Sequence, residues 1–197
     1  MGQYYKPCFL KKNYKRVRST NPVKFALSSY DYDNGAKLME HSYCGNSFVN
    51  AAMTCIGERF NGYPFVWCGD YADELVCGNK TFDLYSCAYS INEKGSKLKD
   101  DMISRFNHNE FRMENPYKYI INNTKKEFVV VPRYNEKEWN IHPLPLLCAS
   151  GNGRGGGDYR LEDERVGRWA FDCISVSNSD ADVEGLTEIS GKFEMDD

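Results

Sequence analysis

The chain is short of the residues and spacings that announce common chemistries. It has three histidines, no CxxC pair and no GxSxG element, so neither a zinc site nor a serine nucleophile is signalled by spacing. It lacks an apolar run of the roughly 18–20 residues a membrane span needs. A basic-then-apolar leader is also missing, and "MGQYYK" carries Lys6 where a myristoylation signal needs Ser or Thr. Charge of one sign is scarce too: the net charge is -3, which argues against a main partner with a nucleic-acid backbone. One basic stretch, "KKNYKRVR" (11–18), reads as a local nucleic-acid patch or, more simply, as a solvated edge hairpin.

What is present is aromatic weight. Fourteen Tyr and eleven Phe in 197 residues can build a core without staples. The eight cysteines are scattered, and Cys55 and Cys68 sit inside apolar runs as buried free thiols do. The expectation is therefore a soluble cytosolic protein in which the sequons at Asn79 and Asn122 stay bare.

Along the chain, "YYKPCFL" (4–10) and "KKNYKRV" (11–17) read as a hairpin, with Pro7 suggesting an edge strand. "KLMEHSY" reads as short and extended after the Asn34-Gly35 turn. The apolar stripe Phe48, Ala52, Cys55, Ile56 predicts a helix, capped by Asn46 or Ser47 and ended by Gly57. "YPFVWC" (63–68) is a buried strand, "LYSCAYSI" a strand or a helix, and "KLKDDMISRF" a short helix. "YKYIINNTKKEFVVVP" (117–132) is the clearest hairpin, and "IHPLPLLCA" reads as a strand stiffened by two prolines. "RWAFDCISVS" closes the sheet, and residues 188–197 form a peripheral tail.

Hairpins outnumber strand-helix-strand units, so the expected class is α+β with a mainly antiparallel sheet and one or two helices. Residues 1–187 are taken as one globular domain. The echoes of "YYKPCFLKKNYKRV" in "YKYIINNTKKEFVV", and of "CGDYADE" in "GGDYRLEDE", suggest two similar β-rich halves, 1–115 and 116–187.

Three constellations can carry chemistry. The first is "SGNGRGGGDYR", with five of the sixteen glycines between Gly151 and Gly157. Glycines let the backbone approach a ligand, successive amides can form an anion nest, and Arg154 can clamp a phosphate. The candidate ligand-binding residues are Asn152, Gly153, Arg154, Gly155, Gly156, Gly157, Asp158 and Tyr159. The spacing matches no nucleotide fingerprint, and a mobile corner is the plainer reading.

The second is the acidic turn Asp70, Asp73, Glu74, which can hold Mg²⁺ or Ca²⁺ through oxygens or simply face water. Asp70, Asp73 and Asp158 are also candidates for a catalytic acid or base. The third is Glu40-His41-Ser42, where His41, with His142 as the other candidate, can serve as a general base or pack structurally. The loop tyrosines Tyr30, Tyr32, Tyr43, Tyr63, Tyr71 and Tyr159 can stack on a base, bind a protein or pack the loops down.

The ordered blocks "MGQYYK", "GAKLMEHSYCGNSFVNA", "VWCGDYAD", "YIINNTKKEFV", "IHPLPLL" and "GNGRGGGDYR…VGRWAFD" cover residues 1 to about 177. Together they resemble an uncharacterised family of proteins of tailed phages and scattered bacterial genomes. The sequence departs from that pattern at Cys68, where the family has a small residue, and at Phe171, where it has a polar one. The resemblance implies a phage accessory protein made in the host cytoplasm and carries over no activity or site residue. Beside it stand three functions: a nucleotide or phosphate binder that sequesters its ligand or performs phosphate or glycosyl chemistry, a modulator of a host or phage protein, and a virion component.

Overall fold

The computed structural model describes residues 3–16, 21–27, 35–92, 115–134, 140–151 and 164–191. Its strands are β1 (Tyr5–Leu10), β2 (Val23–Ala26), β3 (Tyr63–Gly69), β4 (Leu75–Cys77), β5 (Lys80–Phe82), β6 (Tyr119–Asn122), β7 (Glu127–Val130), β8 (Ala149–Ser150), β9 (Cys173–Ser177) and β10 (Thr187–Glu188). The helices are α1 (Leu38–His41), α2 (Ser47–Arg59), α3 (Leu84–Asn92) and α4 (Pro143–Cys148). The class is α+β, with a mostly antiparallel main sheet in the order β10-β7-β6-β9-β3-β1-β2, and β8 added to β3. β4 and β5 form a separate hairpin.

β3 organises the fold. One edge pairs along its length with β1, and the other is shared: Tyr63 and Pro64 pair with antiparallel β9, Trp67 and Cys68 with parallel β8. Its run of apolar residues follows from cover on both faces. Phe65 and Trp67, with Tyr5 and Phe9 of β1, meet α2 and α4, while Val66 and Cys68, with Cys8 and Leu10, meet α3 and the β4–β5 hairpin. Phe9, Phe25, Phe60 and Phe65 pack ring to ring at centroid distances of 4.5 to 5.7 Å, with Phe60 stacked on Phe9 and Phe25 and the other pairs tilted. All eight cysteines are free, and Cys55 and Cys68 are buried as expected.

Local rules account for the expected elements. Asn46 caps α2 by accepting from the Phe48 and Val49 amides (2.9 and 3.2 Å), a cap contributing roughly 1 kcal/mol. The helix continues past Gly57, whose missing side chain leaves room for the Tyr117 ring. The β6–β7 hairpin forms as read, because buried Asn122 accepts from Thr124 and Lys125 (both 2.9 Å) and closes the turn.

Four expectations are corrected. Residues 11–16 are not the return strand of a hairpin: β1 pairs with β2, while Tyr14–Arg16 form a 3-10 turn. Tyr14 is buried there and stacks on Phe171, and Lys12 Nζ lies 4.7 Å from the Tyr63 ring centre. Pro7 lies in an interior strand, between β3 and β2. "LMEH" (38–41) is helical, not extended: Lys37 stays extended as its N-cap, and the Lys37 amide donates to His41 Nδ1 one turn on. "PLPLLC" is the helix α4, not a strand. Pro143 and Pro145 fall in its first turn, where the amide they lack would have no helical acceptor, and His142 Nδ1 caps the Leu144 amide at 3.2 Å. "KLKDDMISRF" lies outside the described residues.

The two segments that echo each other take different local structures, a strand followed by a 3-10 turn and a tight hairpin. Strands from both contribute to the same sheet. Thr187–Glu188 add the last strand, parallel to β7, and Ile189 packs on the core.

Candidate functional site

β3 and β8 are parallel and end together. Past the Cys68–Ser150 pair, Gly69 leads into the acidic turn and Gly151 into the glycine run. The bare backbone at both positions is required by Tyr5. A Cβ at Gly69 would lie 2.9 Å from the ring and 3.2 Å from Ser150 O, and one at Gly151 would press on the Tyr5 hydroxyl and on Gln3 Oε1. Tyr5 and Gln3 are both buried, and the Tyr5 hydroxyl donates to Gln3. This pair is the seat from which the glycine run departs.

Asp70 is tied to the same corner. Its amide donates to Tyr4 O at 2.9 Å, and the Tyr4 amide donates to Asp70 Oδ1 at 3.2 Å. Loss of water pushes the Asp70 carboxyl up from its ordinary value, against the Tyr4, Asp70 and Tyr71 amides, which pull it down. Asp73 and Glu74 are exposed on the turn that follows. Among the described residues no group of three or more His, Cys, Asp or Glu side chains is arranged to hold a metal ion. Asp70, Asp73 and Glu74 are therefore not gathered into one cation site.

The third constellation reaches this corner through the backbone. Tyr5 and Ala36 exchange amide bonds of 2.9 and 2.8 Å, which places Lys37 next to the start of β1. Lys37 Nζ holds Glu40 at 2.8 Å, and the Lys37 amide donates to His41 Nδ1 at 3.1 Å. Glu40 and His41 thus take separate partners. Burial lowers the His41 pKa, more than the nearby Glu40 charge raises it. With Nδ1 accepting, the neutral ring carries its proton on Nε2 and meets any ligand as a donor.

His142 is elsewhere. It is fully buried, its amide donates to Ser42 O at 2.7 Å, and its pKa falls to about 3 through loss of water. Its place in the fold is the cap of α4.

Two aromatic rings rim the corner. Tyr71 and Tyr4 are 47% and 36% exposed, and they are the only aromatic side chains among the large exposed hydrophobics of the described residues. Tyr63 instead packs on Phe60, and Tyr43 bridges Ile141. Tyr4 was not singled out by sequence; a tyrosine one residue before a buried strand carries no mark of exposure. Tyr30, Tyr32 and the whole set Asn152, Gly153, Arg154, Gly155, Gly156, Gly157, Asp158 and Tyr159 lie outside the described residues.

The arrangement thus offers two adjacent strand ends, one partly desolvated carboxylate, one half-buried imidazole on the segment bonded to β1 and two exposed rings. No helix of the described residues is long and apolar enough to cross a membrane. No protein-family model, no curated protein and no solved structure matches the chain.

Proposed function

We propose that this corner binds a nucleotide or another phosphate-bearing small molecule. The carrying observation is the parallel β3–β8 pair, which starts the acidic turn and the glycine run from neighbouring positions. In open α/β sheets ligands bind outside the carboxyl ends of parallel strands, and this corner repeats that local arrangement on a short scale. In the proposed complex the amides of the glycine run and the Arg154 guanidinium take the phosphate. Tyr71 and Tyr4 flank the base, where stacking contributes about 1–3 kcal/mol per base. Asp70, carrying its backbone bonds, faces the sugar or a Mg²⁺ ion brought in on the phosphates. The same parts serve sequestration or phosphate and glycosyl chemistry, and product analysis after incubation separates them.

The wider role we propose is that of a phage-type accessory protein acting in the host cytoplasm. It is supported by the ordered sequence blocks and by eight cysteines of which none is paired in a disulfide. A second reading draws on the exposed Tyr4 and Tyr71: they suit a protein interface, making the chain a modulator of a host or phage protein. The two differ at Arg154. Arg154→Ala abolishes a nucleotide-induced rise in melting temperature if the corner is a phosphate site. A protein-docking corner instead loses its partner on Tyr71→Ala and ignores Arg154→Ala. A fixed higher oligomer in light scattering would favour a virion component over both.

A further inference from the structure

A separate cavity of about 480 Å³ opens at the base of the β6–β7 hairpin. Its walls include Tyr117 and Tyr134, its apolar surface comes from Val130 and Val131, and Asn115 and Arg133 supply polar groups. It shares no lining residue with the Asp70–Gly151 corner. We propose that it is a second small-molecule site, taking a small planar organic anion.

The charge argument comes from what is already paired. Lys118 lines the cavity but is held by Asp180 at 2.6 Å, and its own amide is met by Asn178 Oδ1 at 2.8 Å. Asn178 Nδ2 donates to Pro116 O, so that amide is satisfied at both ends. Arg133 is different: it is exposed and has no hydrogen-bond or ion-pair partner among the described residues. Among the described residues no carboxylate lines the cavity, and Arg133 is its one lining cation not held by an acid. A guanidinium in this state favours a carboxylate or phosphate that it can meet with two parallel bonds.

Asn115 fixes one wall: its Nδ2 donates to Pro132 O at 2.6 Å, which holds the amide plane. The flat shape follows from the rings and valines. Tyr117 is fixed against Gly57 and Tyr134 against Gly45, both by contacts that a side chain at the glycine would block. Val130 is 40% exposed at the rim, an apolar surface with nothing in the described residues laid over it. The volume falls in the range of ordinary ligand pockets.

The test uses 4-hydroxybenzoate as probe, which has a carboxylate and a ring. Calorimetric titration compares it with 4-methylphenol and with inorganic phosphate. The proteins are the wild type, Arg133→Gln and Val130→Glu; both substitutions are at exposed side chains, and melting curves verify the fold. The expected result is saturable binding with a Kd on the order of 1 mM or tighter, weakened roughly tenfold by Arg133→Gln and abolished by Val130→Glu. Absence of saturation up to roughly 10 mM, or equal affinity in Arg133→Gln, overturns the site. Equal binding of 4-methylphenol overturns its preference for an anion, and equal binding of phosphate overturns the planar body.

Discussion

Asp70 and Tyr4 exchange two hydrogen bonds, amide to carbonyl at 2.9 Å and amide to carboxylate at 3.2 Å. The pair clips the acidic turn onto the start of β1, beside the seat that Tyr5 and Gln3 make for Gly151. Through it the ends of β3 and β8 and the beginning of β1 become one corner. The same clip draws the Asp70 carboxylate partly out of water, so its charge is costly when no ligand or cation faces it.

That cost has a sign. The folded pKa of Asp70 is raised, so its favourable contribution is present below the ordinary 3.8 and is lost as pH rises through the raised value. Asp70→Asn keeps an acceptor for the Tyr4 amide and removes the charge. Its melting temperature should equal or exceed that of the wild type at pH 7, the difference closing as pH falls below about 4. Asp70→Ala should lose about 1 kcal/mol below about pH 4, because the amide loses its acceptor, and less than that at pH 7, where removal of the charge offsets part of the loss. An Asn variant clearly weaker than wild type at pH 7 would contradict the account.

His142 gives the opposite dependence. Its folded pKa lies near 3 against an ordinary 6.5, so the unfolded chain takes up a proton between those values and the folded chain does not. Stability from this group is full above 6.5 and falls with acid, by about 1.4 kcal/mol per pH unit and roughly 2 kcal/mol by pH 5. Chemical unfolding measured from pH 7 to 4 should show this slope in the wild type and lose about one proton's worth in His142→Asn. The Asn variant retains a cap acceptor, and a constant offset from its smaller volume does not alter a slope. An unchanged slope would mean that His142 titrates in the folded protein.

Gly151 tests the seat itself. Gly151→Ala puts a methyl group against the Tyr5 hydroxyl and Gln3 Oε1, and overpacking of this kind costs roughly 1–3 kcal/mol. Tyr5→Phe removes the hydroxyl, so the double variant should recover part of the loss in a denaturant melt. Simple additivity of the two changes would show that Tyr5 and Gly151 do not touch.

Much of the fold is legible in local pattern. The stripe from Phe48 to Ile56 and the Asn46 cap define α2, and the β-branched runs around Asn122 define the hairpin. The misread elements share a cause. Prolines at 143 and 145 read as breakers because the cap that admits them is a histidine, a residue with low capping preference. Tyr14 reads as one side of a strand, yet it is buried by Phe171, distant in sequence, so tertiary packing decides its conformation. At the candidate site, the composition marks Asp70, His41 and the glycines singly. The closeness of Gly69 and Gly151 depends on a parallel ladder of two residue pairs, Trp67–Ala149 and Cys68–Ser150, between segments some eighty residues apart, too short to leave a periodic trace. The cavity beside Arg133 is silent in sequence for the same reason, since its walls come from three separate stretches.

The central claim is that the β3–β8 corner holds a phosphate. The most direct measurement is the melting temperature of the pure protein across nucleotides, cyclic dinucleotides, NAD and ADP-ribose, with and without Mg²⁺, repeated on Arg154→Ala and Tyr71→Ala. At 100 times its Kd a true ligand adds roughly 2.7 kcal/mol, a rise of several degrees for a chain of this size. The account predicts such a rise for at least one of these compounds, lost in Arg154→Ala and reduced in Tyr71→Ala. Flat curves at saturating concentrations, or a rise that Arg154→Ala leaves intact, would contradict it.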